Sequence, residues 1–222
     1  MGEVIGQILS VAVGVAISPV PVIAVILMLF SRKAASNGVS FAVGWVLGLF
    51  GAGAIVLALG LSDDDNGGPS TTSGWVKMAV GALFIVLGIR RWRSRPRHGA
   101  VASTPAWMAS IDDFTAARAV GMAVLLSAVN PKNLGLTIAA ASTIGAGGLS
   151  TGDEYVALIV FVAIGSVTVV TPVVINAVAG ERAQPVLDEM KRWLIDHNAT
   201  IMTVVLVVLG AKVLGDGISI LS

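Results

Sequence analysis

The sequence predicts an all-α integral membrane protein of six transmembrane helices, built as two inverted three-helix repeats with the first and fourth helices broken at mid-membrane. Three observations predict it. Apolar residues make up 55% of the 222 residues and charged residues 12%, with a mean hydropathy of +0.90, which is membrane-protein composition. Two polar, proline-bearing interruptions, Ser18-Pro19-Val20-Pro21 and Asn130-Pro131-Lys132-Asn133, sit in the middle of long apolar stretches. Basic residues gather in alternate connections, which fixes a topology.

Six apolar spans are read at 4–30, 39–61, 75–90, 119–141, 155–179 and 198–215. Roughly 20 helical residues cover the ~30 Å hydrocarbon core, so both interruptions fall near its centre. The first stretch is expected to be a span and not a cleaved signal, because no Lys or Arg precedes its apolar run and that run is too long. Small residues recur at packing intervals: Gly6, Ser10, Gly14 and Ser18, then Gly44, Gly48 and Ala52, then Gly74, Gly81 and Gly88. Such stripes let helix backbones approach closely in lipid. They also allow a homodimer without demanding one.

Residues 1–92 are expected to form the first three-helix repeat, 93–118 a cytoplasmic basic linker with an amphipathic helix, and 119–222 the second repeat with an interfacial helix at 181–196. Val86-Leu87-Gly88-Ile89-Arg90 closes the third span as Val208-Leu209-Gly210-Ala211-Lys212 closes the sixth, and Ser18-Pro19 corresponds to Asn130-Pro131. Three spans per half force opposite orientations, hence an inverted repeat. Arg32, Lys33, Arg90, Arg91, Arg93, Arg95, Arg97, Arg118, Arg182, Lys191 and Arg192, 11 of the 14 basic residues, fall on one side. The other receives Glu3, Asp63, Asp64, Asp65, Asp153, Glu154 and Asp216, with Lys77 and Lys212 near its ends. The expected location is the inner (plasma) membrane, multi-pass, with both termini outside and the basic loops cytoplasmic. Trp107, Met108, Ile111 and Phe114 recur at helical spacing opposite Asp112 and Asp113, and Val186, Leu187, Met190, Trp193 and Leu194 repeat the pattern. Both segments read as interfacial helices that anchor or gate the cytoplasmic mouth, with Trp107, Asp112, Asp113 and Trp193 as the gating or interfacial residues.

Lys132 is the main candidate for chemistry. A charge at the bilayer centre costs at least ~2.5–3.5 kcal/mol on insertion scales and cannot readily snorkel out. No Asp or Glu lies well inside any span to neutralise it. Its partner is therefore a backbone carbonyl freed by a proline, an anionic group on a cargo, or no partner at all after loss of its proton. The bland alternative is a lysine that only fastens one broken helix to its neighbours. Asn130 and Asn133 flank it with amides and Ser18 offers a hydroxyl. Pro19, Pro21 and Pro131 free backbone groups at the same depth, tolerated only if buried in protein or lining a wet cavity. Thr171, Pro172 and Asn176 form a weaker third element, either a simple kink or an extension of a polar path. Together these residues make the expected substrate site, one suited to an anion.

The chain has no Cys and two His residues in charged stretches, which excludes thiol-redox and thiolate-metal chemistry. Without a nucleophile–base pair, phosphate loop or histidine cluster, no catalytic residue, metal or cofactor is expected and the chain is read as a non-enzyme. No nucleotide-binding motif appears, so transport would draw on an ion gradient, excess cargo or a partner. No nucleic-acid partner is expected.

Pro105-Ala106-Trp107-Met108 with Ile111-Asp112, followed by Leu126-Ser127 and Asn130-Pro131-Lys132-Asn133, resembles the GAP family of peptidoglycolipid or sulfolipid addressing proteins of actinobacteria, grouped in the LysE exporter superfamily. The resemblance covers nearly the whole chain, and Asn-Pro-Lys-Asn is its most specific part. It implies a six-span, LysE-like inner-membrane protein that helps move complex cell-envelope lipids outward, commonly alongside a large lipid transporter; the Lys132 site adds the expectation of an anionic or hydroxyl-rich glycolipid cargo whose acyl chains stay among membrane lipids, with alternating access by rocking of the halves. The family motif carries over onto Asn130, Pro131, Lys132 and Asn133. Two alternatives stay open: an amino-acid or small-ion exporter of the wider superfamily, and a non-transporting scaffold for lipid synthesis or export machinery.

Overall fold

The computed structural model describes residues 1–60, 71–94, 111 and 113–222. Every regular element among them is helical: α1 Gly2–Ala16, α2 Pro19–Leu29, α3 Ala34–Ala58, α4 Thr71–Arg93, α5 Ala116–Val124, a π turn Leu125–Val129, α6 Pro131–Gly145, α7 Thr151–Ala179, a 3-10 turn Gly180–Ala183 and α8 Gln184–Leu221. Three helical stretches are long and apolar enough to cross a membrane, namely Ala34–Ala58, Thr71–Arg93 and the run Thr151–Leu221. The pair α1 and α2, bent by 51° at its break, makes a fourth, while Ala116–Val129 is apolar but shorter. Apolar helices of this kind mark a membrane protein.

Proline determines where the two interruptions fall. Pro19 opens α2 behind Ser18, and Pro131 opens α6 behind Asn130. A proline at the first helical position loses nothing, because that N–H would be unpaired anyway, but it withholds a donor from the turn before it. Ahead of Pro131 the helix widens, so that Asn130 N–H donates to Leu125 O at 3.0 Å, five residues back. Such π turns arise where the α ladder cannot be completed.

Packing mostly joins the first half of the chain to the second. The most extensive contact is between α4 and α8, followed by α3 with α5, then α1 and α3 with α7, and α1 and α3 with α6. Glycine permits the closest approaches. A Cβ on Gly81 would lie 2.5 Å from Leu214 N and 2.8 Å from Gly210 O, and one on Gly44 would lie 2.7 Å from Val120 O. Gly6 departs from this pattern. It is exposed, with nothing near its absent side chain, so the stripe in the first stretch contributes Gly14 to packing but not Gly6. Trp45, Phe41, Phe84 and Phe161 are wholly buried at the centre.

Of the segment 181–196, expected as a separate interfacial helix, residues 181–183 lie in the 3-10 turn and the rest runs without a break into the last apolar stretch as the 38-residue α8. Nothing between Trp193 and Ile201 stops a helix: there is no Gly or Pro, and His197 Nδ1 lies 2.8 Å from Trp193 O one turn back. At 1.5 Å per residue this helix is longer than the hydrocarbon core is thick, so one part of it extends beyond.

Candidate functional site

The two proline breaks meet. Val15 O and Ile17 O would accept from residues 19 and 21 in an uninterrupted helix, but both of those are proline and have no N–H. Each carbonyl therefore needs another donor. Ser18 Oγ donates to Val15 O at 2.6 Å, and Lys132 Nζ, arriving from α6, donates to Ile17 O at 2.9 Å. The same ammonium donates to Gly14 O at 2.8 Å and Ser18 Oγ at 2.6 Å. Its three hydrogens are thereby all engaged.

The second break is closed in the same manner. In the π register Leu126 O would accept from residue 131, again a proline, and Asn133 Nδ2 donates to it instead at 2.9 Å. Asn133 Oδ1 lies 3.1 Å from Ser18 Oγ and competes with Val15 O for its single hydrogen, so the uncontested link between the two breaks is Lys132. Asn130 caps α6, its Oδ1 accepting from Lys132 N at 3.0 Å, a usual role for Asn ahead of a helix. Lys132, Asn133 and Ser18 are 4%, 1% and 4% exposed. Among the described residues no carboxylate comes within ion-pair distance of Lys132. Of the partners the sequence allowed it, freed carbonyls are the ones it takes.

Ser18, Pro19 and Pro21 are buried beside Lys132 and Asn133, whereas Pro131 is exposed and Asn130 half-buried. Thr171, Pro172 and Asn176 are not drawn in. Thr171 is exposed and donates to Val167 O at 2.7 Å, Pro172 is buried within α7, and Asn176 lies one turn further along that helix. The residue that α7 does contribute is Thr168, whose Oγ1 donates to Ala16 O at 2.5 Å. Sequence reading missed it because it looked beside the proline of α7 and not one turn before it. Gly14 was read only as a packing residue, yet its carbonyl is a ligand of the ammonium.

The interfacial residues stand apart. Trp193 is 54% exposed and stacks on His197 with ring centroids 4.8 Å apart. Asp113 is exposed, while Ile111 and Phe114 are buried and Asn37 Nδ2 donates to Phe114 O at 3.0 Å. Trp107 and Asp112 lie outside the described residues, as do Asp63, Asp64 and Asp65. No cluster of His, Asp and Glu able to hold a metal occurs among the described residues.

Two cavities lie outside this centre, and neither is lined by its residues. An open groove of about 580 Å³ runs between α3 and α7, lined by Val46, Phe50, Val162, Val167, Val170 and other apolar residues, with Thr171 at its edge. A second cleft of about 460 Å³ is mixed in character and contains Glu3, Gln7, Lys77, Thr143, Lys212 and Asp216.

Compared with known families, residues 8–219 match the family model described as Sap, sulfolipid-1-addressing protein. No curated protein and no solved structure matches the chain.

Proposed function

Because the chain belongs to the family described as Sap, sulfolipid-1-addressing protein, we propose that it acts in the export or addressing of a cell-envelope lipid, as an exporter or an export accessory in the inner membrane. In this reading the six helical stretches α1–α2, α3, α4, α5–α6, α7 and α8 are six spans, in two inverted repeats of the LysE superfamily type. The contacts support that arrangement. Exchanging the halves turns the pairing of the second stretch with the fourth into that of the fifth with the first, and leaves the third-with-sixth pairing unchanged; all three are present. Both termini lie outside, opposite the face that carries Arg32, Lys33, Arg90, Arg91, Arg118 and Arg182.

The observation that carries the reading is the seat of Lys132: an ammonium near mid-membrane, without a carboxylate, held by carbonyls that only the breaks expose. Its three acceptors belong to the α1–α2 break while the lysine belongs to α6, so the cation is a latch between the halves. When one half rocks against the other, the ammonium leaves some of those acceptors and takes an anionic or hydroxyl-rich head group in their place, flanked by Ser18 and Asn133. The acyl chains remain in lipid and in the apolar groove between α3 and α7. A large lipid transporter is the partner that would supply or receive the cargo. The opposed reading is a non-transporting scaffold, favoured by the complete hydrogen bonding of Lys132.

Mass spectrometry of lipids that co-purify in mild detergent separates the two, with the native chain compared with Lys132→Met and, because that variant removes a packed cation, with Ser18→Ala as well. Selective enrichment of one envelope lipid class in the native protein, reduced in both variants, is expected. Equal and unselective phospholipid in all three would overturn the cargo role of the centre and leave the scaffold.

A further inference from the structure

The mixed cleft lies where α1 begins and α8 finishes, between α1, α4, α6 and α8. The last α1 residue in its lining is Val11, about one turn before Gly14, and it contains none of the residues of the Lys132 centre. Two lysines line it, and they differ. Lys212 Nζ is paired with Asp216 Oδ2 at 2.7 Å, an i,i+4 pair on α8. Lys77, from α4, is 6% exposed yet makes no hydrogen bond or ion pair among the described residues. A lysine so buried is ordinarily paired or hydrogen-bonded. Here the space beside it is an open cleft.

We infer that this cleft is a second binding site, one that takes a singly charged anionic group bearing hydroxyls, with the Lys77 ammonium as its anchor. The charge count sets the class. Asp216 pairs with Lys212 and also attracts Lys77 at longer range, and Glu3 stands on the exposed first turn of α1 with Gln7 Nε2 at 3.4 Å from its carboxylate. The lining thus holds two cations and two carboxylates, of which Lys77 is the nearly buried one and has no ion pair among the described residues, so it suits one anionic charge and not a polyanion. Gln7, Thr143 and Ser219 supply amide and hydroxyl groups for a sugar or polyol, and Val4, Val11, Val213 and Ile220 supply an apolar wall. A sulfate ester, a carboxylate or a phosphodiester has the required chemistry, whether on a lipid head group or free in water. The inference does not require the Lys132 centre to be a cargo site.

The test uses the full chain in a neutral maltoside detergent, with native mass spectrometry to count bound ligand. The probes are a sulfated galactosylceramide, the same galactosylceramide without its sulfate, and sodium methyl sulfate as the free monoanion. Preference for the sulfated over the unsulfated lipid by tenfold or more is expected, lost in Lys77→Met, kept in Lys77→Arg, and kept in Arg118→Met, which removes the same charge from the opposite end. Displacement of the lipid by methyl sulfate assigns the site to the anion itself; retention assigns it to the whole head group. Equal binding of the two lipids, or an unchanged preference in Lys77→Met, overturns the inference. Loss of the preference in Lys132→Met but not in Lys77→Met also overturns it while sparing the central site, so the two readings fail separately. Removing an unpaired buried cation should not unfold the protein, and the melting profile of Lys77→Met checks this.

Discussion

Two lysines, both nearly buried, are handled in opposite ways. Lys132 gives all three of its hydrogens to the α1–α2 break, while Lys77 gives none to any described residue. The cause lies in the helices around them. Pro19 and Pro21 strip donors from the turn facing Lys132 and leave carbonyls that an ammonium can satisfy. No proline break lies beside Lys77, which stands within the continuous α4 and faces the ends of α1, α6 and α8. A cation can therefore be seated without a carboxylate where backbone is broken, and where it is not, the cation is left facing a cleft. The comparison separates a structural latch, which has to be undone before it can bind anything, from a group already free to bind.

The largest effect expected is at the latch. Lys132→Met leaves Gly14 O and Ile17 O without donors, and since each unmet buried group costs about 1–3 kcal/mol, stability should fall by about 2–4 kcal/mol, read as a lower melting temperature in detergent. Melting no lower than that of the native chain would break the contrast. Next is the contact that frames the cleft. Gly81→Ala forces a Cβ against Leu214 N and Gly210 O and should cost about 1–3 kcal/mol by overpacking. Gly6→Ala, with nothing near it, should be neutral or stabilising by up to about 1 kcal/mol through helix propensity; equal losses at the two sites would refute the close α4–α8 approach. A smaller effect is expected for Ser18→Ala, which removes one of three acceptors and the donor to Val15 O. It should cost about 1–2 kcal/mol, and a double-mutant cycle with Lys132→Met should show coupling of at least about 0.5 kcal/mol. The smallest is Lys77→Met, expected to change stability by less than about 0.5 kcal/mol or to raise it. A loss as large as that at Lys132 would mean that Lys77 too is a structural tie.

Several particulars were legible before any coordinates. The breaks at Ser18 and Asn130 follow from proline chemistry alone, and the need for Lys132 to find a polar interior follows from the cost of a charge in hydrocarbon. Other particulars were not. Thr168 is one of several hydroxyls on α7, and only the crossing of α1 over α7 selects it over Thr171. The continuity of α8 was hidden because an amphipathic stretch followed by an apolar one reads equally well as two helices or one. The division of labour between Lys77 and Lys212 is invisible in sequence, since each is a lone basic residue near a span end.

By itself, then, the sequence determined composition, helical class, the places where helices must break and the sign of the charge held at the centre, because these depend on local covalent chemistry and on solvent. Which carbonyls meet which side chains was decided by the tertiary structure alone. A hydrogen bond between Lys132 and Gly14 joins residues 118 positions apart, and no local rule fixes such a pairing; the packing of two broken helices against each other does.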